Sequence, residues 1–478
     1  MSIGPDVHIA NSTRLAASAD INPRYVILIS AAAALGGLLF GYDWVVIGGA
    51  KPFYEAFFRL HSEQQIGWAN SCALIGALVG SILSGGLSDR FGRKKLLISS
   101  ALLFALSSLL TGLSQSFSAF ITWRIVGGVA IGMASNVSPT YIAEVSPAVW
   151  RGRLVALNQL TIVIGILMAQ IVNWAIARQV PAGQTAEQVY LSWNGQFAWR
   201  WMFIAVAVPS LIFLIGSLGV PESPRWLVMR RRQSRALATL ARIGGQQYAE
   251  SCIAEIETAM AAEAAHNVQR SELLSRPMLR ILAIGIFLAV LQQWSGINVM
   301  FNYAEEVYRN AGYGISDVLF NIVFTGAISV VFTVVALGFV DRVGRRPLML
   351  FGCASIGLSH LLIGFVYRAQ VRGWPVLLLT LCAIACYSMS LAPVTWVLIS
   401  EIFPNRIRGA AVSIAVSALW LASFILTFTF PAILGAIGSA GAFWLYSAIC
   451  FCGFAFIWRR VPETKGRTLE QIEQQLGA

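Results

Sequence analysis

The sequence predicts an all-α membrane protein, with twelve transmembrane helices in two pseudo-symmetric six-helix bundles. Three observations carry this reading. First, the chain is 57% hydrophobic and only 12% charged, whereas soluble domains carry roughly 25% charge. Second, twelve apolar runs are each long enough to cross a bilayer. Third, the sparse charges are written twice. Asp89-Arg90-Phe91-Gly92-Arg93-Lys94-Lys95 returns about 250 residues later as Asp341-Arg342-Val343-Gly344-Arg345-Arg346. Glu144 stands seven residues before Arg151-Gly152, and Glu401 stands seven before Arg408-Gly409. Ordered repetition of this kind marks a duplicated bundle, the architecture of many transporters.

The elements follow in order. Residues 1–25 are polar and read as a cytoplasmic tail, because no basic stretch precedes a short apolar core as in a cleaved signal. Apolar cores at 26–50, 66–88, 96–116, 119–143, 152–177 and 199–219 make the N-terminal bundle, 26–219. A polar linker with short helices, 220–279, holds Arg230-Arg231-Arg232 and an Ala/Glu-rich helical segment. Cores at 280–303, 317–340, 347–367, 374–400, 409–432 and 440–459 make the C-terminal bundle, 280–460, before a tail at 461–478.

Orientation comes from Lys and Arg. With both termini inside, cytoplasmic segments carry 26 of the 34 basic residues, as the positive-inside rule requires. Outer loops and helix ends carry seven, Lys51 among them. The net charge of +12 therefore orients the chain and implies no nucleic-acid partner. The cysteines have no metal-ligand spacing and read as small packing residues.

Away from the ends of the apolar cores, Asp43 and Arg124 are the only Asp, Glu, Lys or Arg residues. Each costs roughly 2.5–3.5 kcal/mol at a helix centre. At 1.5 Å per residue both lie roughly 8–10 Å below the same surface. Two readings stand: a structural ion pair, or a carboxylate whose proton affinity depends on access and on Arg124. His360 reads as a packing or interfacial residue.

The seventh span contains Gln292-Gln293-Trp294-Ser295-Gly296-Ile297-Asn298 and then Asn302-Tyr303. Four amides in one span must face water, a ligand or one another. Either they surround a cavity edge, or the helix breaks near Ser295-Gly296, as the discontinuous helices of transporters do. Gln159 and Trp396 face the same cavity in this reading. Amides donate and accept, and indole offers an apolar face, so the set suits an uncharged polyol. No cluster of cations invites a phosphate or carboxylate. No nucleophile–base set, metal cluster or phosphate loop supports an enzyme, and no cofactor is implied.

These residues resemble the major facilitator superfamily and, within it, the sugar porter family. The resemblance runs from about residue 36 to 470. Its more specific carriers are Pro221-Glu222-Ser223-Pro224-Arg225, Pro462-Glu463-Thr464-Lys465-Gly466 and Gln292-Gln293-x-x-Gly296-x-Asn298. It implies alternating access by rocking of the two halves. It also implies an inner gate closed by one charged network, which by position holds Asp89, Arg93, Glu144, Arg151, Arg153, Glu222, Asp341, Arg345, Glu401, Arg408 and Glu463. As surface pairs each contributes under about 1 kcal/mol. Phe40-Gly41-Tyr42-Asp43 is similar to the first-helix motif of bacterial proton-coupled members, and Arg124 matches its partner. Phe40, Gln159, Gln292, Gln293, Asn298, Asn302, Trp396 and Trp420 match substrate-site positions. Asn302 replaces a usual Tyr, Leu419 replaces a common amide, and Ile166 stands where one member has a second Gln.

The expectation is proton-coupled symport of a monosaccharide or related polyol by a monomeric, multi-pass protein of the cell inner or plasma membrane. The proton is the coupling ion. The alternatives are a passive facilitator, in which Asp43 is architecture, and a non-transporting sugar sensor, against which the short tails argue.

Overall fold

In the computed structural model, residues 21–181, 184–265, 276–403, 408–466 and 471 are described. Most of both expected tails and residues 266–275 of the expected linker lie outside them, as do the side chains of Asp341 and Arg408.

The first half holds α1 (Pro23–Phe58), α2 (Glu63–Phe91), α3 (Arg93–Leu113), α4 (Phe117–Val145), α5 (Ala148–Ile176) and α6 (Asn194–Gly219). The linker carries helices Pro224–Met229 and Gln233–Ala265, the latter kinked at Gly244-Gly245. The second half begins with α7 (Arg276–Trp294), which continues as Ile297–Asn302 and Ala304–Asn310. Then come α8 (Ile315–Val343), α9 (Arg345–Arg368) and α10 (Trp374–Met389 with Leu391–Ile402). The last segment, Arg408–Arg460, is 53 residues long and breaks at Gly438 (φ 69°), which divides it into α11 before the break and α12 after it. At 1.5 Å per residue it spans roughly 80 Å, enough for two crossings. The twelve expected spans are thus present.

Helix starts follow local chemistry. Asn22 caps α1 by accepting from the Tyr25 N–H at 3.1 Å, with Pro23 at the first helical position. Ser62 and Ser116 cap α2 and α4 in the same way. The starts of α3 and α9 are different. Each follows a glycine at positive φ, Gly92 (96°) or Gly344 (103°), without a local side-chain cap. Their caps come from far along the chain, as described below.

Packing inside the first half depends on small residues. A methyl group on Gly128 of α4 would lie 1.9 Å from the Ala73 carbonyl of α2, and one on Gly132 would lie 2.1 Å from that of Ala77. Backbone cannot give way, so only glycine lets these helices touch. Side chains such as Leu102, Val208, Ile215, Phe365 and Leu378 point outward and are half exposed or more. Such a coat is stable only against lipid.

One helix runs longer than expected. The apolar run of α1 fades near residue 50, yet the helix continues through Pro52 to Phe58. Pro52 removes one backbone bond. The extension is held by an aromatic cluster, with Phe57 and Phe58 ring centroids 5.3 and 5.4 Å from Trp199, and Phe58 also 5.4 Å from Phe120. Lys51 is therefore an interior helical residue, 2% exposed, where the sequence reading put a charge of an outer loop or helix end.

The two halves meet at the end away from the basic loops. There a methyl on Gly48 of α1 would lie 2.4 Å from the Phe301 carbonyl, and one on Gly67 of α2 would lie 2.3 Å from the Phe428 carbonyl. Gln170 donates to Thr325 Oγ1 at 3.1 Å, and the Val180 N–H donates to Ser316 Oγ at 2.8 Å. Lys51 also reaches Glu305 and Glu306 of the second half at this far end.

Candidate functional site

Helix α1 serves two sites. Its Asp43 side turns into the first half and meets Arg124 of α4. Arg124 Nη1 donates to both Asp43 carboxylate oxygens at 2.9 Å, and Nη2 reaches the Asp43 carbonyl at 3.4 Å. The two residues are 2% and 3% exposed. The guanidinium also lies 5.3 Å from the Phe203 ring centroid. The depth argument thus predicted a real contact. Attraction in so dry a setting is strong, but so is the cost of desolvating both ions. What the pair reliably does is make the removal of either charge expensive.

One turn away, Phe40 and Trp44 share the face of α1 that looks at the second half. Phe40 lies 5.6 Å from the Trp420 ring, and Trp44 lies 6.4 Å from the Phe301 ring. The facing helix is interrupted, as one of the two sequence readings anticipated. Gly296 adopts φ 85° between Trp294 and Ile297. A side chain at that angle would be strained, and a methyl would meet His360 and Tyr446. The break frees the Ser295 carbonyl. His360 Nε2 lies 2.7 Å from it and Cys450 Sγ lies 3.6 Å from it. His360 is fully buried and supports the break, in line with its expected packing role.

The amides converge beside this break. Gln293 Nε2 donates to Gln292 Oε1 at 2.7 Å, and Asn298 Nδ2 donates to Gln293 Oε1. Gln292, Gln293, Asn298 and Asn302 are all at most 7% exposed. Buried atoms remain without a protein partner: Asn298 Oδ1, Asn302 Oδ1 and Trp420 Nε1. Such orphans cost free energy unless water or ligand satisfies them. Gln159 on α5 and Trp396 on α10 are half-buried, and Ile166 and Leu419 are buried.

The basic end is built twice. In the first half Glu222 accepts from the backbone N–H groups of Arg93 and Lys94 at 2.9 and 3.0 Å, capping α3 from 129 residues away. Arg93 donates to Glu144 at 3.0 Å and to Asp89 at 3.2 Å, and the Ser223 hydroxyl donates to Glu144 at 2.5 Å. In the second half Glu463 accepts from the N–H groups of Arg345 and Arg346 at 3.0 and 3.1 Å. Arg345 reaches Glu401 at 3.1 Å, and the Thr464 hydroxyl donates to Glu401 at 2.6 Å. Gly92 and Gly344 are required because a side chain there would strike the capping carboxylate.

Two features of this arrangement bear on the expected gate. Among the described residues the charges form two separate clusters, one in each half. Glu222 and Glu463 act mainly on backbone, not on side-chain cations. Arg151 and Arg153 are exposed and join neither cluster. Asp341 and Arg408 lie outside the described side chains.

Sequence reasoning missed a third charged site. At the far end Lys51 Nζ lies 2.8 Å from Glu55, 3.6 Å from Glu305 and in contact with Glu306. Glu305-Glu306, directly after the amide-rich span and at the same end as Lys51, was the available signal.

Comparison with known proteins places this geometry. The family described as Sugar (and other) transporter matches residues 29–476. The glucose transport protein of Synechocystis sp. is 41% identical, covering 94% of this chain and 97% of its own. The arabinose-proton symporter of Bacillus subtilis is 39% identical, covering 94% and 95%. Among solved structures, the inward-open xylose transporter of Escherichia coli superposes with a TM-score of 0.82 at 36% identity, covering 94% of this chain and 100% of that one. The fold is that of the major facilitator superfamily, and the protein is a multi-pass membrane transporter, not an enzyme. Matched along almost its whole length by sequence and by structure, this chain belongs to the sugar (and other) transporter family.

Proposed function

We propose that the chain carries a monosaccharide or related polyol across the cell membrane together with a proton, by alternating access. The observation that carries this is the position of the Asp43–Arg124 pair. It is dry and fully formed, and it sits one helical turn from the aromatic face that meets the amide site. A charge change at Asp43 is thereby linked mechanically to Phe40 and to the closure of α1 on α7.

The basic end is cytoplasmic in this reading, as are both termini. The conformation described above is then inward-facing, with the outer end sealed by contacts between the halves. External sugar and proton bind the outward-facing state. Protonation of Asp43 removes its charge and weakens its hold on Arg124, which permits α1 to move. The halves rock, the two charged clusters at the basic end part, and sugar and proton leave inward. The sugar hydroxyls satisfy Asn298 Oδ1, Asn302 Oδ1 and Trp420 Nε1, and the rings of Phe40, Trp396 and Trp420 cover its C–H faces. The half-buried amide of Gln159 completes the set from the first half. The site is uncharged, which supports neutral polyols over sugar phosphates. Arabinose and xylose carriers among the relatives, both named proton symporters, support this class.

The test is reconstitution in liposomes. Labelled pentoses, hexoses and inositols are offered with and without an inward proton gradient, to wild type and to Asp43→Asn. Uphill accumulation in the wild type, lost in the variant while sugar exchange persists, is the expected result. Equilibration that ignores the gradient makes the protein a facilitator.

A further inference from the structure

The ion cluster at the far end joins the two halves. Lys51 belongs to α1, and Glu305, Glu306 and Arg309 belong to the helix that follows the α7 break. Lys51 touches Glu55 on its own helix and both Glu305 and Glu306 across the interface. Its ammonium also lies 5.8 Å from the Tyr303 ring centroid. Arg309 pairs with Glu305 at 3.1 Å, but its side chain is 67% exposed.

The charges do not balance. When all are ionised, Glu55, Glu305 and Glu306 oppose Lys51 and Arg309, which leaves one surplus negative charge in a largely dry cluster. Uncompensated buried charge is costly, and the smallest species that removes it is a proton. Glu306 has the most exposed side chain of the three glutamates, at 21%, while its Oε2 is buried and without a protein partner. Water can deliver the proton there while the far end is still open.

We propose that Lys51, Glu55, Glu305 and Glu306 form a latch between the halves, and that Glu306 binds one proton as the far end closes. The proposal takes from the proposed function only the rocking of the halves at this end.

The groups facing Glu306 agree with this role. From α1 they are Lys51, Tyr54 and Glu55, and from its own segment Tyr303 and Glu305, with Arg309 paired to Glu305. Tyr446 of α12 stands behind Tyr303. From α9, Tyr367 donates to the Val307 carbonyl. On α8, Asp317 is exposed. Burial pushes the Glu306 carboxyl up to about 7, against the pull of Lys51 and with help from Glu305 and Glu55. When the far end opens, water reaches Glu306 and its affinity falls back towards the ordinary 4.5. The closed state therefore holds the proton more tightly. Acid favours closure, fully so below about 4.5, and the advantage is lost as pH rises through about 7. The proton enters and leaves on the same side, so it adjusts the outer opening and is not carried across.

The test uses full-length protein in lipid nanodiscs without sugar or gradient. Spin labels replace His61 and Val371, both exposed at the far end, one on each half. The Asp43→Asn background removes the carboxylate of the Asp43–Arg124 pair. Lowering the pH from about 8 to about 5.5 should raise the short-distance population relative to the long one by on the order of tenfold. Adding Glu306→Gln should hold the short population at both pH values. A second variant, Lys51→Gln, should enrich the long population at about pH 8 and recover at about pH 5.5. A pH response that survives Glu306→Gln unchanged overturns the proposal, as does its absence from the Asp43→Asn background, or indifference to Lys51→Gln. Because no transport is measured, a failure of proton-coupled uptake would leave this result standing, and the reverse.

Discussion

The basic end and the far end use buried charge in opposite ways. At the basic end Arg93, Glu144 and Glu222 act within one half, and Arg345, Glu401 and Glu463 act within the other. The proposed rocking motion would leave the pairs within each cluster intact. At the far end Lys51 binds Glu305 and Glu306 across the interface, so its contacts break when that end opens. The first arrangement builds rigid bodies and the second sets the balance between conformations. A mutation in the first should lower stability with little conformational bias. One in the second should shift the conformational equilibrium with little loss of folded protein.

The largest test of that contrast is Lys51→Met. It leaves three carboxylates facing one another without their shared cation, and breaking a buried ion set in this way costs about 3–5 kcal/mol. The cost falls only on the closed state, so distance measurements at the far end should show it mostly open, while the melting temperature changes little. Next is Gly128→Ala. Its methyl would lie 1.9 Å from a backbone carbonyl, and overpacking typically costs about 1–3 kcal/mol. Thermal unfolding should register this loss, with no change in the open-to-closed ratio.

Smaller still are Glu222→Ala and Glu463→Ala. Each removes a carboxylate that caps the first turn of a helix, α3 or α9, and lost caps cost about 0.5–2 kcal/mol. Because the two halves repeat the geometry, the two losses should agree within error. A marked inequality would break the claim of duplicated function. Smallest are Arg151→Ala and Arg153→Ala. Both side chains are exposed and outside the clusters, so each should stay within about 0.5 kcal/mol of wild type, in contrast to Arg93→Ala.

Much of the fold and part of the site were legible in the sequence, for identifiable reasons. Lipid makes helices of continuous apolar runs, so spans could be counted directly. Asp43 and Arg124 were isolated charges at equal depth, and equal depth is what contact requires. Gly296 amid polar residues marked the break in α7, because it needs an angle that only glycine takes without strain.

The misses have physical causes as well. The apolar run of α1 fades near residue 50, but Phe57 and Phe58 find aromatic partners on α4 and α6, and that tertiary packing carries α1 onward. Lys51 was therefore counted among the charges of outer loops and helix ends. Glu222 and Glu463 were read as partners of cations, because sequence shows charges and not the uncapped N–H groups they serve. The expectation of one joined network at the basic end came from resemblance. It could not specify which conformation the chain adopts, and in this one the halves are joined at the other end.

The most direct test of the central claim is the movement of protons when sugar is added. Sealed vesicles in weak buffer, with the membrane potential clamped by potassium and valinomycin, receive a sugar that the liposome panel has shown to be carried. The external pH should rise on each addition for the wild type, and Asp43→Asn should abolish the rise while sugar exchange continues. If sugar enters the wild type with no change in external pH, the Asp43–Arg124 pair is architecture and the protein is a facilitator.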